Sequence, residues 1–397
     1  MSPILFHIDV NSAYLSWTAV EQLKNGAETD LREIPAIIGG DKSTRHGVVL
    51  AKSVPAKKYG IRTGEPVVNA FRKCPNLVME APSHDLYSGY SERMMDFLRG
   101  YTPDLEQVSV DECFLDFTGI GHRFDSPLTA AFEIKDEIYK TFGFSVNVGI
   151  SSNKLLAKMA SDFEKPNRVH TLFPDEIQVK MWPLPVGELF MAGRSSVEVL
   201  HKLEIRTIGE LANTDPKLLE LHLKSHGRTL WEFANGIGET RLGAREVENK
   251  GIGNSTTLAK DALTAEEAKE VLMGLAEKVG QRLRMEKQKA GMVSVEIRYA
   301  DFRNVSHQMQ LPRATQTAAR IYETACSLFD ELWNGEPIRL LGIRTSKLLD
   351  EAEPEQLNLF DIQIEQPWDE KHQKLEKALD EIKEKYGKDA VKRGSLL

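Results

Sequence analysis

Residues 107–117 (QVSVDECFLDF) set an alternating stretch, with apolar Val108 and Val110, before an apolar run of Phe114, Leu115 and Phe117. That pattern predicts two strands with Asp111-Glu112 at the tight turn between them. The apolar run at 3–10 (PILFHIDV) predicts a buried strand closing on Asp9. Residues 11–23 predict a helix opened by Asn11 or Ser12 as cap. Strands are expected at 34–38 and 77–80, and a helix at 84–100, where Tyr87, Tyr90, Met94, Phe97 and Leu98 recur near helical spacing. Beyond the acidic hairpin come a helix at 129–142, a strand at 144–150 and a helix at 153–163 capped by Ser151-Ser152. This order gives a split βαβ sheet of ferredoxin-like type, interrupted after its first helix by residues 20–78.

The character changes after Lys165-Pro166-Asn167. Residues 173–240 read as short helices with glycine breaks. One helix over 200–205 turns into another at 209, and a second unit at 218–236 bends at Lys224-Ser225-His226-Gly227. Helix–hairpin–helix units of this kind present backbone N–H groups to phosphate, although a plain helical connector fits as well, and Gly193-Arg194-Ser195 lacks the second glycine of such a turn. Residues 241–250 are a polar linker. From 251 to 348 the pattern is strand 254–258, helix 264–287, strands 292–299 and 306–311, helix 315–333 and strand 338–346, an α+β domain of ordinary size. Residues 349–397 form an acidic tail that ends in an amphipathic helix over 370–386.

With 397 residues, 41% of them hydrophobic and 28% charged, several domains are expected. The net charge of −8 argues on its own against nucleic acid, but the acids concentrate beyond Asp350 while basic clusters stand at Lys57-Lys58 and 282–289. Three distant cysteines imply neither a zinc site nor disulfides. No run approaches ~20 apolar residues, and the N-terminus lacks a leader pattern, so a cytoplasmic protein with no membrane partner is expected.

The chemistry collects at strand ends. Asp9, Asp111 and Glu112 are three oxygen donors suited to hard divalent cations, the arrangement that two-metal phosphoryl transfer needs. Tyr14 lies about one helical turn beyond Asp9, either as a core aromatic or close enough to touch what the metal binds. Lys52, Lys57 and Lys58 suit phosphate contacts or, for the last two, an ordinary helix end before Gly60. In the tail, Gln356-Leu357-Asn358-Leu359-Phe360 sets three large apolar side chains among acids. They read as a docking peptide or as a segment packing back on its own domain.

The segments FHIDVNSAY (6–14), AKKYGI (56–61), SVDECFLDFTG (109–119), VGISSNKLLAKMASDFEKPN (148–167), TIGEL (207–211), GIGNSTT (251–257) and QLNLF (356–360) together resemble the Y-family (translesion) DNA polymerases in a bacterial form. The resemblance follows the family's order over nearly the whole chain. It implies an error-prone, lesion-bypass DNA polymerase, α+β and multidomain. Its parts would be a ferredoxin-like palm (1–19 and 79–172), fingers (20–78), an all-helical thumb (173–240) and an α+β little finger (251–348) binding DNA. It implies Asp9, Asp111 and Glu112, with the Val10 carbonyl, as ligands of two Mg²⁺ ions or of Mn²⁺ in their place. Tyr14 would be a steric gate against ribose, and Lys57 and Lys165 would hold the incoming dNTP. Gln356, Leu357, Leu359 and Phe360 would engage the replication sliding clamp. The expected partners are primer–template DNA, dNTPs and that clamp, for a monomer working at the nucleoid. Ala13, Val54 and Lys57 depart from the aromatic, Tyr and Arg that many members carry there. Two rival classes, a non-catalytic recruiting relative and a nucleotidyl cyclase, are separated from this one by primer extension.

Overall fold

The computed structural model describes residues 3–40, 47–120, 123–243, 249–352, 367–387 and 390–391. They fold as two compact units that divide between residues 243 and 249.

The first unit opens with β1 (Leu5–Val10) and α1 (Ala13–Lys24). Next come β2 (Ala36–Gly39), β3 (Val49–Lys52), α2 (Val54–Lys58), α3 (Val67–Lys73) and β4 (Val78–Glu80). They are followed by α4 (His84–Arg99), β5 (Leu105–Gln107), β6 (Glu112–Asp116), α5 (Pro127–Phe142), β7 (Val146–Ser151), α6 (Lys154–Asp162) and β8 (Val169–Thr171). The main sheet has the order β5-β6-β1-β7-β8, and β1 lies antiparallel to both neighbours. A second sheet, β3-β2-β4, stands apart from it. Helix α1 serves both: Trp17 and Val20 enter the large core with Phe6, Ile8 and Tyr90, while Leu15 and Ala19 pack on Ala36, Ile38 and Ala51.

Every residue of β1 but Asp9 is buried, because helices cover both faces of the sheet. Gly149 in β7 makes the second cover possible. A Cβ there would stand 1.9 Å from the Ala157 carbonyl oxygen, so only glycine lets α6 lie so close to the strand.

Several local expectations change. Ser12 stands at the start of α1 with φ +48°, and its hydroxyl donates to the Lys52 carbonyl (3.0 Å) instead of capping the helix. Asn153, not Ser151-Ser152, caps α6, its side chain accepting from the Leu156 N–H (2.9 Å), while Ser151 ends β7. The strand expected around Val108 and Val110 is displaced to β5, and Val108 is exposed. Residues 108–111 form the turn, where the Val108 and Ser109 N–H groups both donate to the Glu112 carbonyl (3.0 and 3.2 Å). Glu112 therefore begins a strand rather than sitting in the turn. Helix α3 lacks a sequence signal because it buries only Val67 and Ala70.

The unit closes with α7 (Ile177–Lys180), α8 (Arg194–Lys202), α9 (Ile208–Ala212), α10 (Pro216–Leu223) and α11 (Ser225–Ala234). The helix expected from Leu200 begins at Arg194, so Gly193-Arg194-Ser195 is a helix start and not a hairpin turn. A Thr207–Glu210 capping box opens α9. Lys224 turns the chain between α10 and α11 with φ +55°, and Gly227 permits their close approach, since a Cβ would meet the Leu219 carbonyl oxygen at 2.4 Å.

The second unit contains β9 (Gly251–Ala262), α12 (Ala265–Met285), β10 (Gln288–Tyr299), β11 (Asn304–Thr315), α13 (Ala318–Leu332), β12 (Ile338–Asp350) and α14 (Pro367–Tyr386). Its antiparallel sheet, β11-β10-β12-β9, packs Val293, Val295 and Ile343 against Leu272, Val279, Ile321 and Leu328 of α12 and α13. Strands β9 and β11 run further than the apolar pattern indicated, because backbone pairing continues through polar residues. Thr315 still pairs with Ala290, so α13 begins later than expected. The buried Glu376 of α14 accepts from the Ala318 and Ala319 N–H groups (3.0 and 3.3 Å) and pairs with Arg284 (2.5 Å), which also holds Asp380 (2.6 Å). The terminal helix is thus docked by a carboxylate at the N-terminus of α13. Among the described residues no helix is long and apolar enough to cross a membrane.

Candidate active site

Strands β1 and β6 bring together acids a hundred positions apart in sequence. Asp9 is the register partner of Glu112, and the Val10 N–H donates to the Asp111 carbonyl (3.0 Å), which closes the two strand ends on each other. Asp111 Oδ1 accepts from the Ser109 hydroxyl (2.6 Å).

Each of the two facing carboxylates has its own ammonium group. Asp9 Oδ1 accepts from Lys165 Nζ (2.7 Å), which also pairs with Asp162 (2.9 Å). Burial raises the Asp9 pKa above the ordinary carboxylate value, and Lys165 opposes that rise. Glu112 Oε2 accepts from Lys158 Nζ (2.5 Å) and lies 3.3 Å from His7 Nε2, without the alignment of a full hydrogen bond. His7 and then Lys158 hold the Glu112 carboxyl down at about 2, against the effect of its burial.

Behind Glu112 the network continues inward. Ser161 Oγ donates to the Lys158 carbonyl (2.7 Å) and sits 2.8 Å from His7 Nδ1. With its single hydrogen committed to that carbonyl, the hydroxyl is an acceptor toward Nδ1, so both ring nitrogens of His7 face acceptor oxygens, Ser161 Oγ on one side and the Glu112 carboxylate on the other. The apolar reading of the chain passed over Lys158, His7 and Ser161. Their signal was present: His7 lies two residues from Asp9 on one strand, and Lys158 and Ser161 are spaced i, i+3 on one helix.

Two clefts meet at Asp9. One, about 400 Å³, is lined by Val10, Tyr14, Lys52, Thr63 and Asp111; the other, about 390 Å³, by Arg32, Lys52, Lys57 and Lys165. Tyr14 lies in the first turn of α1. Its ring stacks on Tyr87 (centroids 4.2 Å apart, 9° between planes), and it also forms part of the cleft wall. Burial and the Asp111 charge raise its pKa, so the phenol stays neutral.

Among the described residues no three Asp, Glu, His or Cys side chains converge closely enough to hold a metal ion, since Asp9 and Glu112 are drawn to different lysines. The donor set nonetheless fits a hard divalent cation: three carboxylates at one sheet end, Glu112 held ionised, and a half-buried Asp9 whose charge calls for a cation. Gln356, Leu357, Leu359 and Phe360 lie outside the described residues.

The impB/mucB/samB family profile matches residues 8–162, and the C-terminal domain profile of the same family matches 249–359. The chain is similar to DNA polymerase IV of Clostridium acetobutylicum, 48% identical over 397 residues that span 100% of this chain and 99% of that protein. It is also similar to DNA polymerase IV 1 of Bacillus subtilis, 35% identical over 398 residues, 100% of this chain and 94% of that protein. Its fold, mixed α+β in several domains, matches that of a solved Y-family DNA polymerase chimera with a TM-score of 0.73 at 21% identity, covering 87% of this chain and 99% of the other.

Proposed function

The chain belongs to the impB/mucB/samB family of Y-family DNA polymerases, and from that premise we propose that it adds dNMPs to a primer 3′-OH on damaged template DNA through the site at the ends of β1 and β6. It is a DNA-directed DNA polymerase of the translesion type. The observation that carries the assignment of the site is Asp9 opposite Glu112, with Asp111 beside them, at the meeting of two clefts that also hold Tyr14, Lys57 and Lys165.

Asp9, Asp111, Glu112 and the Val10 carbonyl would hold two Mg²⁺ ions, or Mn²⁺ in their place, which when bound would supply charge neutralisation and acidify the primer hydroxyl. The protein's own part is positioning. Lys158 and His7 keep Glu112 ionised and its Oε2 fixed. Lys165 keeps Asp9 charged despite burial and, with Lys57, holds the triphosphate. The Tyr14 ring, braced by Tyr87, closes the space that a ribose 2′-OH needs.

The strand order β5-β6-β1-β7 with its covering helices supports reading residues 1–19 and 79–172 as a ferredoxin-like palm, with fingers at 20–78 and a helical thumb at 173–240. The second unit is the proposed little finger. A polar groove of about 470 Å³ along its sheet, lined by Gly251, Asn254, Ser255, Asn304 and Arg344, suits nucleic-acid backbone. Residues 356–360 are the proposed clamp peptide. Extension of a labelled primer on template DNA in Mg²⁺ tests the function. DNA binding by the full chain should weaken steeply with salt, and salt-independent affinity would contradict the DNA contacts assigned here.

A further inference from the structure

Lysines near the site differ in what holds them. Lys165 is committed to Asp9 and Asp162, and Lys158 to Glu112. Arg32 is held by Asp30 and donates to the Gly143 carbonyl (2.6 Å). Lys52 has no carboxylate within ion-pair distance among the described residues. Among the described residues its Nζ donates to the neutral Thr63 hydroxyl alone (3.1 Å), and its backbone is tied to the start of α1 through Ser12. It lines both clefts, the one with Tyr14 and Asp111 and the one with Lys57 and Lys165. Burial, and then the like charge of Lys57, lower its pKa, with Glu65 opposing. Two ammonium groups converging in one cleft repel each other until a multiply charged anion comes between them.

We propose that Lys52 is a phosphate-binding residue of the nucleotide site, a second ammonium that grips the polyphosphate of the incoming nucleotide beside Lys57. This rests on the reading of the clefts at Asp9 as the dNTP site and adds to it a residue at the end of β3. Thr63 is the placeholder in this account. It orients the ammonium through a weak neutral bond, which a charged phosphate oxygen outcompetes.

The test is equilibrium binding of dATP, dADP and dAMP to the full chain on primer–template DNA with a dideoxy-terminated primer, followed by fluorescence of a reporter base. Lys52→Ala, Lys52→Arg and Lys57→Ala are compared with wild type. Lys52→Ala is expected to weaken dATP about tenfold, the size of one charge-assisted hydrogen bond. The loss should be smaller for dADP and negligible for dAMP, and Lys52→Arg should recover most of it with an unchanged melting temperature. If Lys57→Ala loses dATP affinity while Lys52→Ala does not, the inference fails and the reading of the site stands. If neither variant changes binding, the reading of the clefts fails with it. An equal loss for dATP and dAMP would place Lys52 on the sugar or base and overturn the assignment to phosphate.

Discussion

Asp9 and Glu112 face each other across the β1–β6 ladder, yet one carboxylate pairs with Lys165 at 2.7 Å and the other with Lys158 at 2.5 Å. Like charges directly opposite on neighbouring strands destabilise a sheet. Here both lysines come from the α6 region, one in the helix and one just beyond it, and each offsets one charge. The close seating of α6 on Gly149 is therefore as much a part of the site as the acids are.

Asp111 has no such partner. Among the described residues its side chain accepts from Ser109 in its own turn and pairs with no cation. Asp111→Asn should therefore leave the melting temperature almost unchanged, as surface changes stay within about 0.5 kcal/mol. Primer extension should fall at least about a thousandfold, on the order of 4 kcal/mol in the barrier. Near-normal extension by this variant in Mg²⁺ would refute the role assigned to the turn.

Tyr14→Ala should have two separable effects. Loss of the stack on Tyr87 costs about 1 kcal/mol beyond area burial, read as a lower melting temperature. Opening the cleft wall should raise incorporation of rNTP relative to dNTP at least about tenfold, a modest 1.4 kcal/mol for relief of one clash. A destabilised variant with unchanged sugar discrimination would leave Tyr14 as a core residue alone.

Asp30 gives a pH-dependent test outside the acidic cluster. Its hydrogen bonds from Arg32 lower its pKa below the ordinary 3.8, and Arg32 in turn holds the Gly143 carbonyl at the end of α5. A carboxylate with a depressed folded pKa adds stability that is present above its unfolded value and lost as pH falls through the folded one. Wild type should therefore lose melting temperature below about pH 4 more steeply than Asp30→Asn, with the two curves differing by a constant above pH 5. Parallel acid limbs would show that the pair contributes nothing.

Periodicity reached the long elements because their apolar faces are continuous: β1, α4 and α12 lie close to where the pattern put them. It missed what depends on backbone geometry. The strand before the acidic turn shifted because Val108, though apolar, is exposed there. Ser12 could not cap α1 because its left-handed backbone directs the hydroxyl to Lys52. The three acids were legible as strand-end carboxylates. Their ammonium partners were not, because a lysine on a helix carries no sign of which buried acid it will meet across 46 or 156 residues.

The tail provides the last prediction. Residues 356–360 fall between β12, which ends at Asp350, and α14, which the Arg284–Glu376 and Arg284–Asp380 pairs hold to the second unit. Leu357, Leu359 and Phe360 stand among Glu351, Glu353, Glu355 and Asp361, and such a short segment binds with roughly micromolar affinity. Burying a Leu and a Phe contributes about 1.5–3 kcal/mol each, so Leu359→Ala with Phe360→Ala should weaken clamp binding by more than about tenfold. Unaided extension should not change, because neither residue belongs to the site at Asp9. The measurement is extension on primed DNA with and without loaded clamp. Equal stimulation of wild type and the double variant would mean that the peptide packs on its own protein instead.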